Sequence, residues 1–342
     1  MNTYGNDFKI SIFGASHAKE VGVVVDCCAE GIEICEEDFK EDLLRRKNGD
    51  DISLLFGTTP RKEEDIPIIT SGVKNGKTDG SPITISFENK NVQGKDYSQF
   101  RITPRPSHAD FVNICKYKEI SNIQGGGQSS GRMTVALVAA GVVAKKVLAA
   151  KGEKISIKAS IAEIGGEKNP ALWPRMLSEA KSEGDSLGGV IRCVAEGVKV
   201  GVGEPFFCSL ESQISQLAFS VPGVKGIEFG DFSDVESKDY FNSARLKGSE
   251  YNDPIISKLG KCATNHSGGI NGGISNSNPI VFSVAVRPTA SIAKPQKTIN
   301  LSTGEVEEIS VKGRHDVSIA LRCPVIIEAI TAIVLADNLL VR

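Results

Sequence analysis

A histidine followed two residues later by an aspartate is the first place where this sequence could do acid–base chemistry. His108 is preceded by Pro104 and Pro106, whose rings stiffen the backbone, and Asp110 stands two positions further on. A carboxylate at that distance along the chain can orient the imidazole ring. The spacing therefore predicts that Asp110 holds His108 in place for proton transfer.

A glycine-rich loop follows and opens a long apolar helix. Gly125, Gly126 and Gly127 are followed by Ser129 and Ser130. Glycines let backbone N–H groups approach an anion closely, and a helix N-terminus behind such a loop adds its positive dipole end. The pattern indicates a phosphate-binding loop. The alternative is an ordinary turn, which is the commoner role of a glycine triplet.

All four histidines of the chain, His17, His108, His266 and His315, lie in short polar segments and none lies in an apolar periodic run. One such histidine is more often a structural or surface residue than a catalyst. Four of four favour a functional role, because binding and catalytic groups concentrate on loops carried by a rigid scaffold. No pair of residues has the helix or knuckle spacing of metal ligands, so no metal site is expected.

The elements that must position these residues alternate between strands and helices. Strands are predicted at 8–13, 21–26, 66–71, 82–88, 155–163, 188–199 and 279–286, with a hairpin near 298–312, and helices at 36–47, 109–117, 131–150, 173–183, 208–218 and from Pro324 onward. The helix at 131–150 is apolar on every face through Val143, so we expect it to be buried.

Two parts of the chain echo each other. The pattern of Ser-Gly, further glycines, Pro-Ile and a strand occurs at 71–87 and again at 267–282. Each copy is followed by a polar segment with a histidine and then by a very apolar helix. The echo predicts an internal duplication, with the functional site between the loops of two related halves.

Composition indicates a globular protein, and no linker divides it, so residues 1–342 are predicted to form a single domain of mixed α/β (α+β) class. The net charge is −2 and the pI is about 6.2, which excludes a global basic field for nucleic acid or a membrane surface. Local arginines must hold any anionic ligand. Eight cysteines without framework spacing, no apolar leader and no uncharged apolar run of about 18 residues predict a cytoplasmic protein.

Taken together, these segments resemble the chorismate synthase family. The segments that carry the resemblance are FGASHAKEVGVVVD (13–26), LLRRKNG (43–49), TTPRKEEDIPIITSGVKNGKTDGSPI (58–83), PRPSHADF (104–111), QGGGQSSGRMT (124–134), KSEGDSLGGVI (181–191), GVGEP (201–205), PGVKGIEFGD (222–231), TNHSGGINGGIS (264–275), RPTASI (287–292) and GRHDVSIALRCPVIIEAITAIVLADNLL (313–340). They run in order through most of the chain. The resemblance implies a β-α-β sandwich fold and a homotetramer.

The resemblance also implies a lyase of the shikimate pathway. Such an enzyme removes phosphate and a ring hydrogen across a 1,4 relationship from 5-enolpyruvylshikimate 3-phosphate to give chorismate. Reduced FMN is required without being consumed overall, since in the family's mechanism the flavin donates electron density and its N5 takes up the hydrogen. NADPH is a candidate reductant, and a separate flavin reductase is a candidate partner.

Site residues are carried over by the same resemblance. His17 is the acid toward the phosphate, His108 lies by the flavin N1 region, and Asp316 with Ser16 positions or relays a proton at N5. The implied cofactor contacts are Arg46, Gln128, Ser129, Ser130, Pro222, Gly223, Gly272, Arg287, Pro288, Thr289, Ala290, Ser291 and Arg314. The implied substrate contacts are Arg46, Arg61, Arg105 and Arg132. Without the resemblance, Arg46 would suit a solvated helix end equally well.

The sequence departs from the commoner family pattern in several places. Family members usually have Glu at Ala15, Gly at Ala18, Arg at Gln124 and Gln128, Glu at Met133, and a second arginine where DDISLLFG (50–57) stands. The loss of positive charge predicts activity with altered affinity. Two alternatives are a flavin reductase that oxidises NADPH without a shikimate substrate, and a phosphate-binding or scaffold protein that gives no flavin difference spectrum.

Overall fold

The computed structural model describes residues 2–51, 54, 57–58, 64–90, 95–120, 124–235, 241–311, 313 and 315–340. Within those ranges the strands are β1 (Thr3–Tyr4), β2 (Lys9–Gly14), β3 (Glu20–Asp26), β4 (Ile68–Ser71), β5 (Val73–Lys74), β6 (Lys77–Thr78), β7 (Ile83–Glu88), β8 (Ser156–Ile164), β9 (Gly189–Glu196), β10 (Val224–Phe229), β11 (Ile270–Asn271), β12 (Ile274–Ser275), β13 (Ile280–Val286), β14 (Gln296–Ile299) and β15 (Val306–Ile309). The α-helices are α1 (Lys40–Asn48), α2 (Asp110–Tyr117), α3 (Thr134–Ala150), α4 (Trp173–Ser182), α5 (Leu210–Ser220), α6 (Gly248–Tyr251) and α7 (Cys323–Leu339).

The main predicted strands and helices are confirmed, with shifts of a few residues at their ends. The predicted helix at 36–47 begins with a 3-10 turn, Glu36–Phe39, before α1. Strand β10 was not predicted, because Gly226 and the charged residues around it give a weak strand pattern. It forms as an edge strand beside β13.

Two antiparallel sheets share one strand order. The first sheet runs β1-β2-β3-β7-β4 and the second runs β10-β13-β9-β8. Apart from β1, the order β2-β3-β7-β4 corresponds strand for strand to β8-β9-β13-β10. In each half a helix leads to the edge strand, a two-stranded hairpin follows, and the next strand inserts beside the edge strand. The predicted internal duplication is confirmed at the level of topology.

Register places apolar side chains on one face of each sheet. Val23 lies opposite Ile85 in the first sheet, and Cys193 lies opposite Phe282 in the second, and all four residues are fully buried. Because side chains alternate across a strand, the neighbouring positions face outward. Each sheet therefore offers one apolar face to a shared interior.

Helices α3 and α7, each of 17 residues, fill that interior. Helix α3 packs against β2, β3 and β7, α7 packs against β8 and β9, and the two helices pack against each other. At their contact, a Cβ built on Gly141 would lie only 2.4 Å from Ala329 Cβ. The result is the expected β-α-β sandwich, with α3 buried as predicted.

Both central helices have the length and hydropathy of a membrane span, counted with the 3-10 turns before them. Inside the protein, however, 78% of the most apolar part of Gly131–Ala150 and 89% of that of Ile319–Leu339 are buried. A helix that is apolar all round is expected either in a membrane or at the centre of a large core. Here both helices are core helices.

Candidate active site

A cavity of about 440 Å³ lies where loops of the two halves meet. Most predicted site residues line it: His17, Arg46, Arg105, His108, Ser129, Ser130, Arg132, Pro222, Gly223, Arg287, Thr289, Ala290, Ser291 and Asp316. Gln128 and Pro288 are not part of its lining, and Gly272 lies in the turn between β11 and β12, also outside it. Arg61 and Arg314 lie outside the described residues.

His17 follows the end of β2 and is held by Ser16. The Ser16 hydroxyl donates to the carbonyl of Gln124 at 2.9 Å, and its oxygen lies 3.0 Å from His17 Nδ1. Because the hydroxyl hydrogen is directed at a carbonyl, Nδ1 is the donor to Ser16, and Nε2 is the nitrogen that could exchange a proton. The imidazole also meets Tyr97 edge to face, with ring centroids 5.0 Å apart. Ser16 thus fixes the orientation of His17.

Asp110 orients His108, as the spacing predicts. Asp110 Oδ1 lies 2.7 Å from His108 Nδ1, so this nitrogen donates, and Nε2 is the nitrogen that could exchange a proton. Arg105 donates to the same carboxylate twice, at 2.7 and 2.8 Å, and reaches Ser291 Oγ at 3.0 Å. Burial alone would raise the pKa of Asp110, but the hydrogen bonds from Arg105 and His108 outweigh it and lower this pKa to about 2. Asp110 is therefore ionised at neutral pH.

The glycine triplet packs between the two histidines. Gly125 and Gly126 have positive φ angles of 57° and 87°. A Cβ built on Gly125 would lie 2.1 Å from His17 Cε1, and one built on Gly126 would lie 3.5 Å from His108 Cε1. A side chain at Gly125 would therefore displace His17. This loop sets the spacing of the histidines, and its role in phosphate binding stays a prediction.

Asp65 joins two of the predicted anion-binding arginines. Its carboxylate accepts hydrogen bonds from Arg46 Nη2 at 2.8 Å and from Arg132 Nη1. Arg46 Nη1 also donates to Thr134 Oγ1 at 3.3 Å, and Arg132 Nε donates to Asn89 Oδ1 at 3.0 Å. Burial would raise the pKa of Asp65, but the charges and hydrogen bonds of both arginines lower it to about 2. The buried pair is thereby tied to the start of α3 and the end of β7.

The segment before α7 supplies His315, Asp316 and Arg322 to the cavity. Asp316 Oδ1 accepts a hydrogen bond from Arg322 Nη2 at 3.2 Å. Burial lowers the pKa of His315, and the positive charges of Arg105 and His108 lower it further, against an opposing effect of Asp316. His315 is therefore a neutral histidine near pH 7.

Positive charge and unpaired donors characterise the cavity wall. Six arginine or lysine side chains line it against two aspartates, although the chain as a whole has a net charge of −2. Among the described residues, the buried polar atoms of the wall without a hydrogen-bond partner are Arg46 Nε, Arg132 Nη2, Arg322 Nε, His315 Nε2 and Thr289 Oγ1. Unpaired buried donors are costly, so this wall is suited to a ligand with several oxyanions.

The sequence patterns did not identify some residues of the cavity, and they grouped His266 with the cavity histidines although it lies elsewhere. His266 lies outside the cavity, stacked on Phe232 and bonded to Asp234 at 3.0 Å, so the four histidines do not share one site. Asp65 was not singled out, because its partners stand 19 and 67 residues away. For Arg322 a signal existed, since it stands directly before the first turn of an apolar helix. No group of three His, Cys, Asp or Glu side chains in the described part of the chain could hold a metal ion.

Comparison with known proteins gives a consistent result. The sequence model of a family described as chorismate synthase matches residues 8–340. A chorismate synthase of Chitinophaga pinensis is 51% identical over 342 residues, covering 100% of this chain and 97% of that protein. One of Methanobrevibacter smithii is 40% identical over 365 residues, covering 99% of this chain and 96% of that protein.

A solved structure agrees with these relatives. A crystal structure of chorismate synthase superposes with a TM-score of 0.72 at 25% identity, covering 98% of this chain and 93% of that one. The match includes both sheets and the two helices between them, since almost the whole chain is covered. The chain therefore belongs to the chorismate synthase family, whose members are carbon–oxygen lyases.

Proposed function

We propose that this cavity catalyses the anti-1,4-elimination of phosphate from 5-enolpyruvylshikimate 3-phosphate to give chorismate, with reduced FMN required and no net redox change. One observation carries the proposal: two histidines with fixed Nδ1 atoms share a cavity with an excess of four positive charges. The substrate carries two carboxylates and a phosphate, and guanidinium groups pair well with such oxyanions. Family membership supports the same reaction.

His17 is the proposed acid toward the leaving phosphate. The bond between the ring carbon and the phosphate oxygen breaks, its electron pair leaves with the phosphate, and a proton from His17 Nε2 neutralises the developing charge. Ser16 occupies Nδ1, so Nε2 is the atom that transfers the proton. Histidine suits this role because its ordinary pKa is ~6.5.

The residues present fit reduced FMN. The lining combines apolar side chains of Val221, Ile319 and Ile326 with polar groups, among them the buried Thr289 Oγ1, which has no hydrogen-bond partner among the described residues. A flat ring with a phosphate tail needs such a mixed wall. When bound, the reduced flavin would lend electron density as the phosphate leaves and would take up the barely acidic ring hydrogen as that density returns, so that no net redox change results.

The protein's own side chains then control charge around that group. We assign His108 to the flavin N1 region and Asp316 to a proton position near N5, with Ser16 acting on His17. The remaining proposed cofactor contacts are Arg46, Gln128, Ser129, Ser130, Pro222, Gly223, Gly272, Arg287, Pro288, Ala290, Ser291 and Arg314. Arg46, Arg61, Arg105 and Arg132 are the proposed substrate contacts. The donors of Arg105 are directed to Asp110 and Ser291, so this arginine acts mainly by fixing His108.

The wider setting follows from the family. We propose a single functional domain over residues 1–342, because one buried core joins both sheets and both central helices. A cytoplasmic homotetramer is the proposed assembly. Flavin is reduced either by NADPH on this enzyme or by a separate flavin reductase.

The test is an anaerobic assay with chemically reduced FMN and 5-enolpyruvylshikimate 3-phosphate. Chorismate absorbance and phosphate release are followed for the wild type and for the His17→Ala and His108→Ala variants. In each variant the rate of chorismate formation should fall by about 10²- to 10⁴-fold. His266→Ala, outside the cavity, is the matched control and should stay near the wild-type rate. If FMN binds and no chorismate forms, the proposal is wrong, and steady NADPH oxidation without shikimate substrate would favour a flavin reductase.

A further inference from the structure

We propose that Asp65 is a positioning residue, which fixes Arg46 and Arg132 as one oxyanion-binding pair for the substrate. The inference rests on the proposed function, because it takes the oxyanion to be a substrate phosphate or carboxylate. The alternative is that the Asp65 carboxylate competes with the ligand, because it occupies the place that a ligand oxyanion would take. The hydrogen bonds of the two arginines favour the positioning role.

Each guanidinium group is fixed at two points. Arg46 uses Nη2 on Asp65 and Nη1 on Thr134, and Arg132 uses Nη1 on Asp65 and Nε on Asn89. One donor of each arginine, Arg46 Nε and Arg132 Nη2, is buried without a partner among the described residues. Asp65 therefore orients both groups and still leaves a donor on each.

Burial makes this carboxylate necessary. The side chains of Arg46, Arg132 and Asp65 are only 8%, 6% and 2% exposed. Burial lowers the pKa of Arg46, Asp65 acts in the opposite direction, and the charge of Arg132 lowers this pKa again. Without Asp65, two like charges would lie side by side in the protein with no carboxylate between them, so they would separate or turn toward water.

The charge balance still favours an anion. One carboxylate between two guanidinium groups leaves a positive charge at the pair, and Arg322 Nη1 reaches the carbonyl of Arg46 at 3.5 Å. Arg322 Nε is a further buried donor that lacks a partner within the described ranges. An incoming oxyanion therefore finds oriented donors beside a residual positive charge.

The backbone at Asp65 makes the test variant clear. Its φ is +54°, a left-handed conformation that asparagine and aspartate adopt more readily than other side chains. Asp65→Asn keeps the backbone preference and the side-chain shape. It removes the charge and directs an amide N–H₂ at one of the two arginines, so the pair loses the carboxylate that fixes it while the backbone conformation is kept.

The two roles predict opposite signs. Removing a competing carboxylate would tighten anion binding, whereas removing a positioning carboxylate weakens it. We expect Asp65→Asn to weaken the binding of inorganic phosphate and of 5-enolpyruvylshikimate 3-phosphate, measured by calorimetry without turnover, by about tenfold. In the turnover assay KM should rise by about the same factor, with kcat changing much less.

A matched control separates positioning from stability. Asp337 is a buried carboxylate outside the cavity lining that binds only backbone N–H groups among its described contacts. Asp337→Asn should lower the melting temperature without changing phosphate affinity or KM. If Asp65→Asn does not fold, Asp65→Glu replaces it, and the displaced carboxylate should weaken phosphate binding several-fold.

Three outcomes would overturn the proposal. The first is a folded Asp65→Asn protein that binds phosphate as tightly as the wild type or more tightly, and the second is an Asp65→Glu protein of unchanged phosphate affinity, where that variant is used. The third is a variant that loses FMN affinity and keeps substrate affinity, which would assign the oxyanion to the cofactor. Failure of the proposed function looks different. In that case wild-type and variant proteins still differ in phosphate binding, and neither forms chorismate.

Discussion

The two halves of the molecule share a strand order and place equivalent loops at the cavity. The connection between the inserted strand and the 17-residue helix spans 89–133 in the first half and 287–322 in the second. Both connections line the cavity, and Arg105 of the first donates to Ser291 of the second. A duplicated scaffold thus brings two equivalent loops together at one end.

The difference lies in how each half handles charge. In the first half Asp65 and Asp110, both with pKa values near 2, hold three arginines and a histidine in buried networks. The connection from β9 to β10 in the second half instead gives the uncharged Val221, Pro222 and Gly223 to the wall. The comparison teaches that the scaffold is common to both halves, while the fixed charges that suit oxyanion chemistry are concentrated in the first.

The contact between helices α3 and α7, which joins the two halves, should be the most sensitive to substitution. Gly141→Val places a branched side chain where a single Cβ already lies 2.4 Å from Ala329 Cβ and 2.6 Å from its Cα. Helices α3 and α7 must then move apart, and we expect a loss of about 3 kcal/mol in the free energy of unfolding, measured by urea denaturation. Gly248→Ala is the control, because a Cβ there meets no atom of the described residues within 4 Å. Equal stability of the two variants would show that helices α3 and α7 can move apart without a loss of stability.

The glycine loop of the first half should be the next most sensitive part. Gly125→Ala would displace His17, and we expect chorismate formation to fall by about 100-fold. Gly304 lies in the β14–β15 hairpin of the second half with a similarly positive φ of 76°, and a Cβ there would meet nothing within 4 Å in the part of the chain that the structure describes. Gly304→Ala should therefore cost stability without changing the rate. Equal rates for both variants would mean that the contact with His17 is unimportant.

Acid should weaken the first half before the second. The folded-state pKa values of Asp65 and Asp110 are about 2, below the ordinary value near 3.9, so their stabilisation is present above about pH 4 and is lost as the pH falls toward 2. Each contributes about 2 kcal/mol by linkage. Urea midpoints at pH 7, 4 and 3 should fall less steeply for Asp110→Asn than for the wild type.

A control for this titration comes from the second half. Asp231 pairs with Arg192 at 2.9 Å but is 29% exposed. Asp231→Asn should keep the wild-type dependence on pH. If Asp110→Asn has the same slope as the wild type, the buried charge network is not the acid-sensitive element.

The smallest effect is expected where the last helix of one half holds the first residues of the other. Asp337 Oδ1 accepts hydrogen bonds from the backbone N–H groups of Asn6, Asp7 and Phe8 at 2.7–2.8 Å. Asp337→Asn keeps an acceptor but loses its charge, so we expect a loss of about 1.5 kcal/mol by thermal denaturation. Asp7→Asn, with an exposed side chain, should change nothing measurable. A similar loss of stability in both variants would show that the hydrogen bonds from Asp337 to the first residues do not stabilise the protein.

Local patterns in the sequence determined most elements and one hydrogen-bonded pair of the cavity, His108 and Asp110. The orientation of His108 by Asp110 depends on two positions in the same short segment, and the burial of α3 follows from its apolar residues on every face. The echo between 71–87 and 267–282 predicted the duplication, because each half repeats the same order of local signals. These features depend on residues that are neighbours in the chain.

Only the tertiary structure decided which distant residues meet. Asp65 lies between Arg46 and Arg132, Gly125 lies against His17, and His266 lies outside the cavity although its segment looks like the others. No periodicity encodes these pairings, because they depend on the order in which strands join the sheets and on where connections as long as 89–133 return. The sequence by itself determined which residues could do chemistry, and packing of the two halves decided which of them share a site.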